Sequence, residues 1–124
     1  MLKMKQTIFV FDSYEDDRRL VKRILEKNNF IVEDAASSDD AVKLVKSKKI
    51  DLVLLDPETL QIDCDQFLAL TMQERHKQKI SLIIYSSKSY NDEELNLYKA
   101  DGYINKYSDP CELINKINLV LSGK

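Results

Sequence analysis

Four polar residues close apolar runs along this chain: Asp12 after "TIFVF", Asp56 after "IDLVLL", Ser86 (with Ser87 behind it) after "SLIIY", and Lys106 after "GYIN". Two carboxylates, a hydroxyl and an ammonium are the parts needed to hold and transfer a phosphoryl group. Neighbouring carboxylates repel unless a cation sits between them. Hard oxygen ligands suit Mg²⁺, which takes one or two protein carboxylates and keeps several waters. A lysine and a hydroxyl on the opposite side would suit phosphoryl oxygens. An aspartate can itself be the nucleophile and become an aspartyl phosphate. The chain has no glycine-rich phosphate loop, so the donor would be a partner or a small phosphate ester. In "IFVFDSYEDD" Ser13 follows Asp12 where a second carboxylate could stand, and Glu15, Asp16 and Asp17 come after it; the stretch reads as the rim of a metal site, a metal site that has lost a ligand, or the polar start of a helix. Acids there favour the start of a helix through its dipole, which is the plain reading of Glu15 and Asp16, although either would be near enough to reach the site.

The elements that must position these residues alternate between two periods. Short β-forming runs predict strands at Thr7–Phe11, Phe30–Ala35, Ile50–Asp56, Ile80–Ser87 and Gly102–Asn105. Between them lie helical stripes. Leu20, Val21, Ile24 and Leu25 mark a helix over Tyr14–Asn28. Ala41, Val42, Leu44 and Val45 mark one capped by Ser37 or Ser38. Asp63 with Gln66 resembles a capping box opening a helix through Phe67, Leu68, Leu70 and Met72. Asn91 with Glu94 caps a short fourth helix to about Lys99. Asp109, Pro110 and Glu112 start the last, which carries Leu113, Ile114, Ile117, Val120 and Leu121 and ends near Gly123. Five βα units predict an α/β fold, a parallel sheet covered by helices on both faces, with ligands at the carboxyl ends of the strands where strand order reverses.

The chain's 124 residues fit a single domain over 1–124, and 44% apolar residues argue for a packed core over disorder. With 19 basic and 21 acidic residues there is no basic field to draw in nucleic acid. No stretch is apolar enough to span a membrane, and the start "MLKMKQ" does not read as a signal peptide. Cys64 and Cys111 lack metal or redox spacing and read as free thiols packed in a reducing cytoplasm, where we expect the protein to reside. His76, in "QERHKQK", reads as a solvated residue.

The stretches "IFVFDSYEDD", "IDLVLLD", "LIIYSS" and "DGYINKYSDP" resemble the receiver domains of bacterial two-component response regulators. The likeness runs over roughly Thr7–Leu121. It implies a flavodoxin-like, doubly wound five-stranded parallel sheet in a three-layer (βα)5 sandwich. It also implies a non-enzymatic phosphorelay role. Asp56 matches the phosphoacceptor. Asp12 matches the first of the acids that, with Asp56, hold Mg²⁺. Ser86 matches the switch hydroxyl, Lys106 the lysine that pairs with the phosphoryl group, and Tyr103 the aromatic that rotates with the switch. The implied partners are a sensor histidine kinase or phosphotransfer protein. A downstream protein or a second copy would meet the face of the fourth helix, fifth strand and fifth helix. Neither direct nucleic-acid nor membrane contact is implied; 124 residues are expected to leave no room for a DNA-binding effector, whether the chain is a stand-alone regulator or a receiver cut from a longer protein.

The chain departs from that family at several positions. Ser13 replaces the second acid, so Mg²⁺ binding should be weak unless Glu58 swings in. "DPETL" lacks the usual Met-Pro after the acceptor, Cys64 replaces a common glycine, and Pro57 has no N–H to offer. Tyr107 stands where a proline usually follows the lysine. A cis bond before tyrosine costs about 3–4 kcal/mol, so this peptide should be trans, with Lys106 shifted. Glu58 and Lys88 occupy positions that tune phosphoryl lifetime and are expected to pair over Asp56. A pseudo-receiver that binds a protein without phosphorylation is the second reading. A phosphatase with Glu58 as general acid is a third, but the chain has no length for a water-excluding lid.

Overall fold

The computed structural model describes residues 4–60, 69, 72–75 and 77–123, with backbone alone at 59 and 60. Five strands, β1 (Thr7–Phe11), β2 (Ile31–Ala35), β3 (Leu52–Leu55), β4 (Ser81–Ser86) and β5 (Gly102–Asn105), form one all-parallel sheet in the order β2-β1-β3-β4-β5. Alternate residues of a strand face opposite sides. Ile8, Val10, Leu52 and Leu54 therefore meet helix α1 (Glu15–Lys27) and the C-terminal helix Pro110–Ser122, through Val21, Leu25, Leu113 and Ile117. Phe9, Phe11, Val53 and Leu55 meet helix α2 (Ser38–Ser47) on the other face, through Ala41 and Val45. β3 and β4 are buried at every position, as strands covered on both faces must be.

Local chemistry places the helix ends. Ser37 caps α2 by accepting from the Asp40 N–H. Asn91 and Glu94 form a full capping box on the short helix Asp92–Leu97. Asp109 accepts from the Glu112 N–H with Pro110 in the first turn. The chain has only two glycines. The left-handed residues that close helices are accordingly Asn29, Lys79 and Lys99, at φ of 69°, 57° and 53°.

The helix expected from Asp63 to Met72 falls largely outside the described residues, as do Cys64 and His76; residues 72–75 and 77–78 are helical. Cys111 corrects an expectation: it lies exposed on the first turn of the last helix and is not a packing residue. No helix among the described residues is long and apolar enough to cross a membrane.

Strand order reverses between β1 and β3. Phe11 pairs with Leu55, so the next residues, Asp12 and Asp56, stand side by side at the sheet's carboxyl edge. The Asp12 N–H donates to the Ala35 carbonyl and the Asp56 N–H to the Phe11 carbonyl, extending the ladder by one rung into the site.

Candidate functional site: an acid pocket closed by one ammonium

Asp12 and Asp56 are both buried, with side chains 1% exposed. At the roughly 5 Å between adjacent strands, and an effective dielectric near 20, two carboxylates repel by about 3 kcal/mol. Lys106 resolves this. Its Nζ lies 2.8 Å from Asp12 Oδ2, 2.6 Å from Asp56 Oδ2 and 2.9 Å from Asp17 Oδ2, with the lysine side chain 7% exposed. Each such contact contributes about 5 kcal/mol of attraction before desolvation, so two of them outweigh the repulsion. The lysine therefore does not stand across from the acids; its ammonium sits among them. Its N–H donates to the Ser86 carbonyl, which fixes the backbone from which the side chain reaches in. The Tyr14 and Tyr85 rings lie 4.8 and 5.6 Å from Nζ and add cation–π contact.

The protonation equilibria follow from this packing. Burial disfavours the Lys106 charge, but the carboxylates of Asp12, Asp17 and Asp56 outweigh it and hold its pKa above the ordinary lysine value. Burial pushes the Asp12 carboxyl upward, and Lys106 and the Tyr14 N–H pull it only part of the way back. Burial likewise lifts the Tyr85 phenol to about 12.

The second oxygens are held by backbone. Asp12 Oδ1 accepts from the Tyr14 N–H, and Asp56 Oδ1 from the Glu58 N–H, both at 2.9 Å. Asp12 Oδ2 is different: it touches the ammonium as an ion pair but has no well-aligned hydrogen bond. Among the described residues no three acid, histidine or cysteine groups form a ready-made metal cage. The donors still fit Mg²⁺: two buried carboxylates at adjacent strand ends, one with an oxygen lacking a hydrogen bond.

The remaining predicted residues surround this centre. Glu58 turns its carboxylate to Lys88 (2.8 Å) and to the Tyr14 hydroxyl (3.3 Å). The Lys88 ammonium is the main cause that lowers the Glu58 carboxyl pKa. Tyr14, Glu58 and Lys88 each sit two residues beyond Asp12, Asp56 and Ser86, so their contacts bridge the loops after β1, β3 and β4. The buried Ser86 Oγ accepts from the Lys88 N–H, and the Tyr103 hydroxyl donates to the Lys88 carbonyl at 2.6 Å. Tyr107 is exposed, no peptide among the described residues is cis, and Lys106 still reaches the pocket. Ser13 is exposed at the rim, as are Glu15 and Asp16, and Glu15 pairs with Arg19.

Asp17 is the member that sequence reasoning missed. A signal was present: Asp17 is one helical turn before the buried Val21, on the stripe that faces the sheet.

Lys106→Met leaves two carboxylates buried without their cation. In metal-free buffer at pH 7, urea unfolding should show a loss of about 3–5 kcal/mol. The folded pKa of Asp12 lies above its unfolded value, so its ionisation costs stability as pH rises. Removing the ammonium enlarges that cost, and the deficit should shrink as pH falls towards the carboxyl range near pH 4. A deficit that grows on acidification would contradict this electrostatic account.

The response regulator receiver domain model matches residues 8–118. The sequence is 30% identical over 114 residues to transcriptional regulatory protein YvrH of Bacillus subtilis, covering 90% of this chain and 47% of that protein. It is 27% identical over 116 residues to ResD of the same organism, covering 92% and 47%. The chain thus spans about half the length of these curated relatives. Chemotaxis protein CheY4 of Vibrio cholerae superposes with a TM-score of 0.82 at 19% identity, over 94% of this chain and 99% of that one. A CheY-like receiver domain protein of Methanospirillum hungatei gives 0.80 at 21% identity, over 97% and 96%. At such identities the structural likeness speaks for the fold. With the family model spanning all five strands, this chain belongs to the response regulator receiver domain family of two-component signalling.

Proposed function

We propose that this receiver domain takes a phosphoryl group on Asp56 from a histidine kinase or phosphotransfer protein. The observation that carries the reading is the convergence of Asp12, Asp56 and Lys106 at the point where strand order reverses. An Asp56 carboxylate oxygen would attack phosphorus. The P–O bond forms as the donor's P–N bond breaks, and the electron pair leaves with the donor imidazole. Asp12 and Asp56, with Glu58 if its carboxylate leaves Lys88, would hold Mg²⁺, which when bound neutralises charge on the phosphoryl oxygens. The Lys106 ammonium, already 2.6 Å from Asp56 Oδ2, supplies the second positive charge, and the Ser86 hydroxyl a hydrogen bond. Tyr103, tied to the Lys88 carbonyl, links the state of that loop to the face of the Asp92–Leu97 helix, β5 and the last helix. A downstream protein or a second copy would read that face. YvrH and ResD are transcriptional regulatory proteins, so the output would be transcriptional where such a domain is joined to an effector.

One observation favours the second reading, a phosphorylation-independent binding module. Asp56 is 1% exposed and both its oxygens are engaged, so a donor reaches it only after Lys106 and the Glu58–Lys88 pair shift.

Intact mass after incubation with Mg²⁺ and acetyl phosphate separates the two. A single phosphoryl adduct that is absent in Asp56→Asn supports the acceptor; no adduct, with no Mg²⁺-dependent beryllofluoride binding, supports the binding module. Given an adduct, Lys88→Ala should shorten its half-life, because the Glu58–Lys88 pair no longer hinders water. An unchanged half-life would remove that role for the pair.

A further inference from the structure

We propose that Asp17 supplies the third carboxylate of the divalent-cation site, giving from helix α1 the charge that Ser13 does not. The inference rests on the reading of this pocket as a cation site. Asp17 Oδ2 lies 2.9 Å from the Lys106 Nζ, the atom that also touches Asp12 at 2.8 Å and Asp56 at 2.6 Å. Three carboxylates from three elements thus already share one small cation. The cluster is not charge-balanced: three carboxylates against one ammonium leave a formal −2, the charge a divalent ion would neutralise. Without Asp17 the remainder is −1. A second observation points to a ligand. Asp12 is fully buried, and its Oδ2, facing the same point, has no well-aligned hydrogen bond.

The placement of Asp17 suits exchange between cations. Its side chain is 46% exposed, so it remains at the rim and can turn from ammonium to metal without burying a charge. The dipole of α1 explains an acid at 15, 16 or 17 equally well. Only Asp17 lies on the stripe that continues through the buried Val21 and Leu25, and of the three only Asp17 is paired with the ammonium.

The test is isothermal titration with Mg²⁺ alone, on the folded chain, for wild type, Asp17→Asn, Asp16→Asn and the double variant Ser13→Asp/Asp17→Asn. We expect Asp17→Asn to weaken binding about tenfold or more, since affinity follows the charge of the ligand set. Asp16→Asn, an equal loss of charge one residue away, should change it less than about threefold, as an exposed charge is largely screened. A carboxylate at 13 should restore the lost affinity, by returning the third negative charge that Asp17→Asn removes. Equal affinities for Asp17→Asn and Asp16→Asn would overturn the inference while leaving the cation site standing. Absence of any binding to wild type would instead remove the cation reading on which it rests.

Discussion

The contact between the Lys106 ammonium and the buried carboxylates of Asp12 and Asp56 is the constraint on which this pocket depends. Parallel pairing of β1 with β3 leaves no choice about where the two acids go: one follows Phe11, the other Leu55, and those residues are paired. Removing two carboxylates from water costs several kcal/mol per ion unless a cation comes with them. The lysine arrives from the end of β5, two strands from β3 and three from β1, because its backbone continues the hydrogen-bonded ladder with Ser86. The aromatic rings of Tyr14 and Tyr85 then flank the ammonium. The pocket is therefore closed by the protein's own charges, and phosphoryl transfer would have to rearrange them.

That arrangement gives the departures from the family pattern a physical setting. Tyr107 in place of proline does not keep Lys106 from the acids, because the turn is held by Asn105, whose side chain accepts the Tyr107 N–H and whose carbonyl accepts the Ser108 N–H. Pro57 has no N–H, and Asp56 Oδ1 takes its backbone partner from the next residue, Glu58. Ser13 removes one negative charge from the rim, and Asp17 is the acid that meets the ammonium. Glu58 is held by Lys88 and Tyr14, so it belongs to the belt of contacts over the loops more than to the acid centre.

The sheet was legible because strand and helix periods differ and both faces of β3 and β4 are buried; Leu52–Leu55 and Ser81–Ser86 read as strands for the same reason that they pack. Caps at Ser37, Asn91 and Asp109 were legible because they are local chemistry. The rim positions of Asp12, Asp56, Ser86 and Lys106 followed from strand ends alone. Side-chain direction did not. Glu58 could face the acids or Lys88, and the outcome depends on charges from a loop thirty residues away. The ammonium's place among the acids depends on three elements at once. Asp17 was readable in principle from its spacing to Val21, but three consecutive acids at a helix start hide which one faces inward.

The most direct measurement of the central claim is the ¹H–¹⁵N spectrum of the lysine side-chain ammonium groups in the metal-free protein. An ammonium held by three carboxylates exchanges its protons slowly and stays charged above the ordinary lysine pKa of about 10.4. The account predicts one protected Lys106 signal that persists through that range, disappears in Lys106→Met and moves when Mg²⁺ is added. A Lys106 ammonium that exchanges and titrates like the exposed lysines, and does not respond to Mg²⁺, would contradict it.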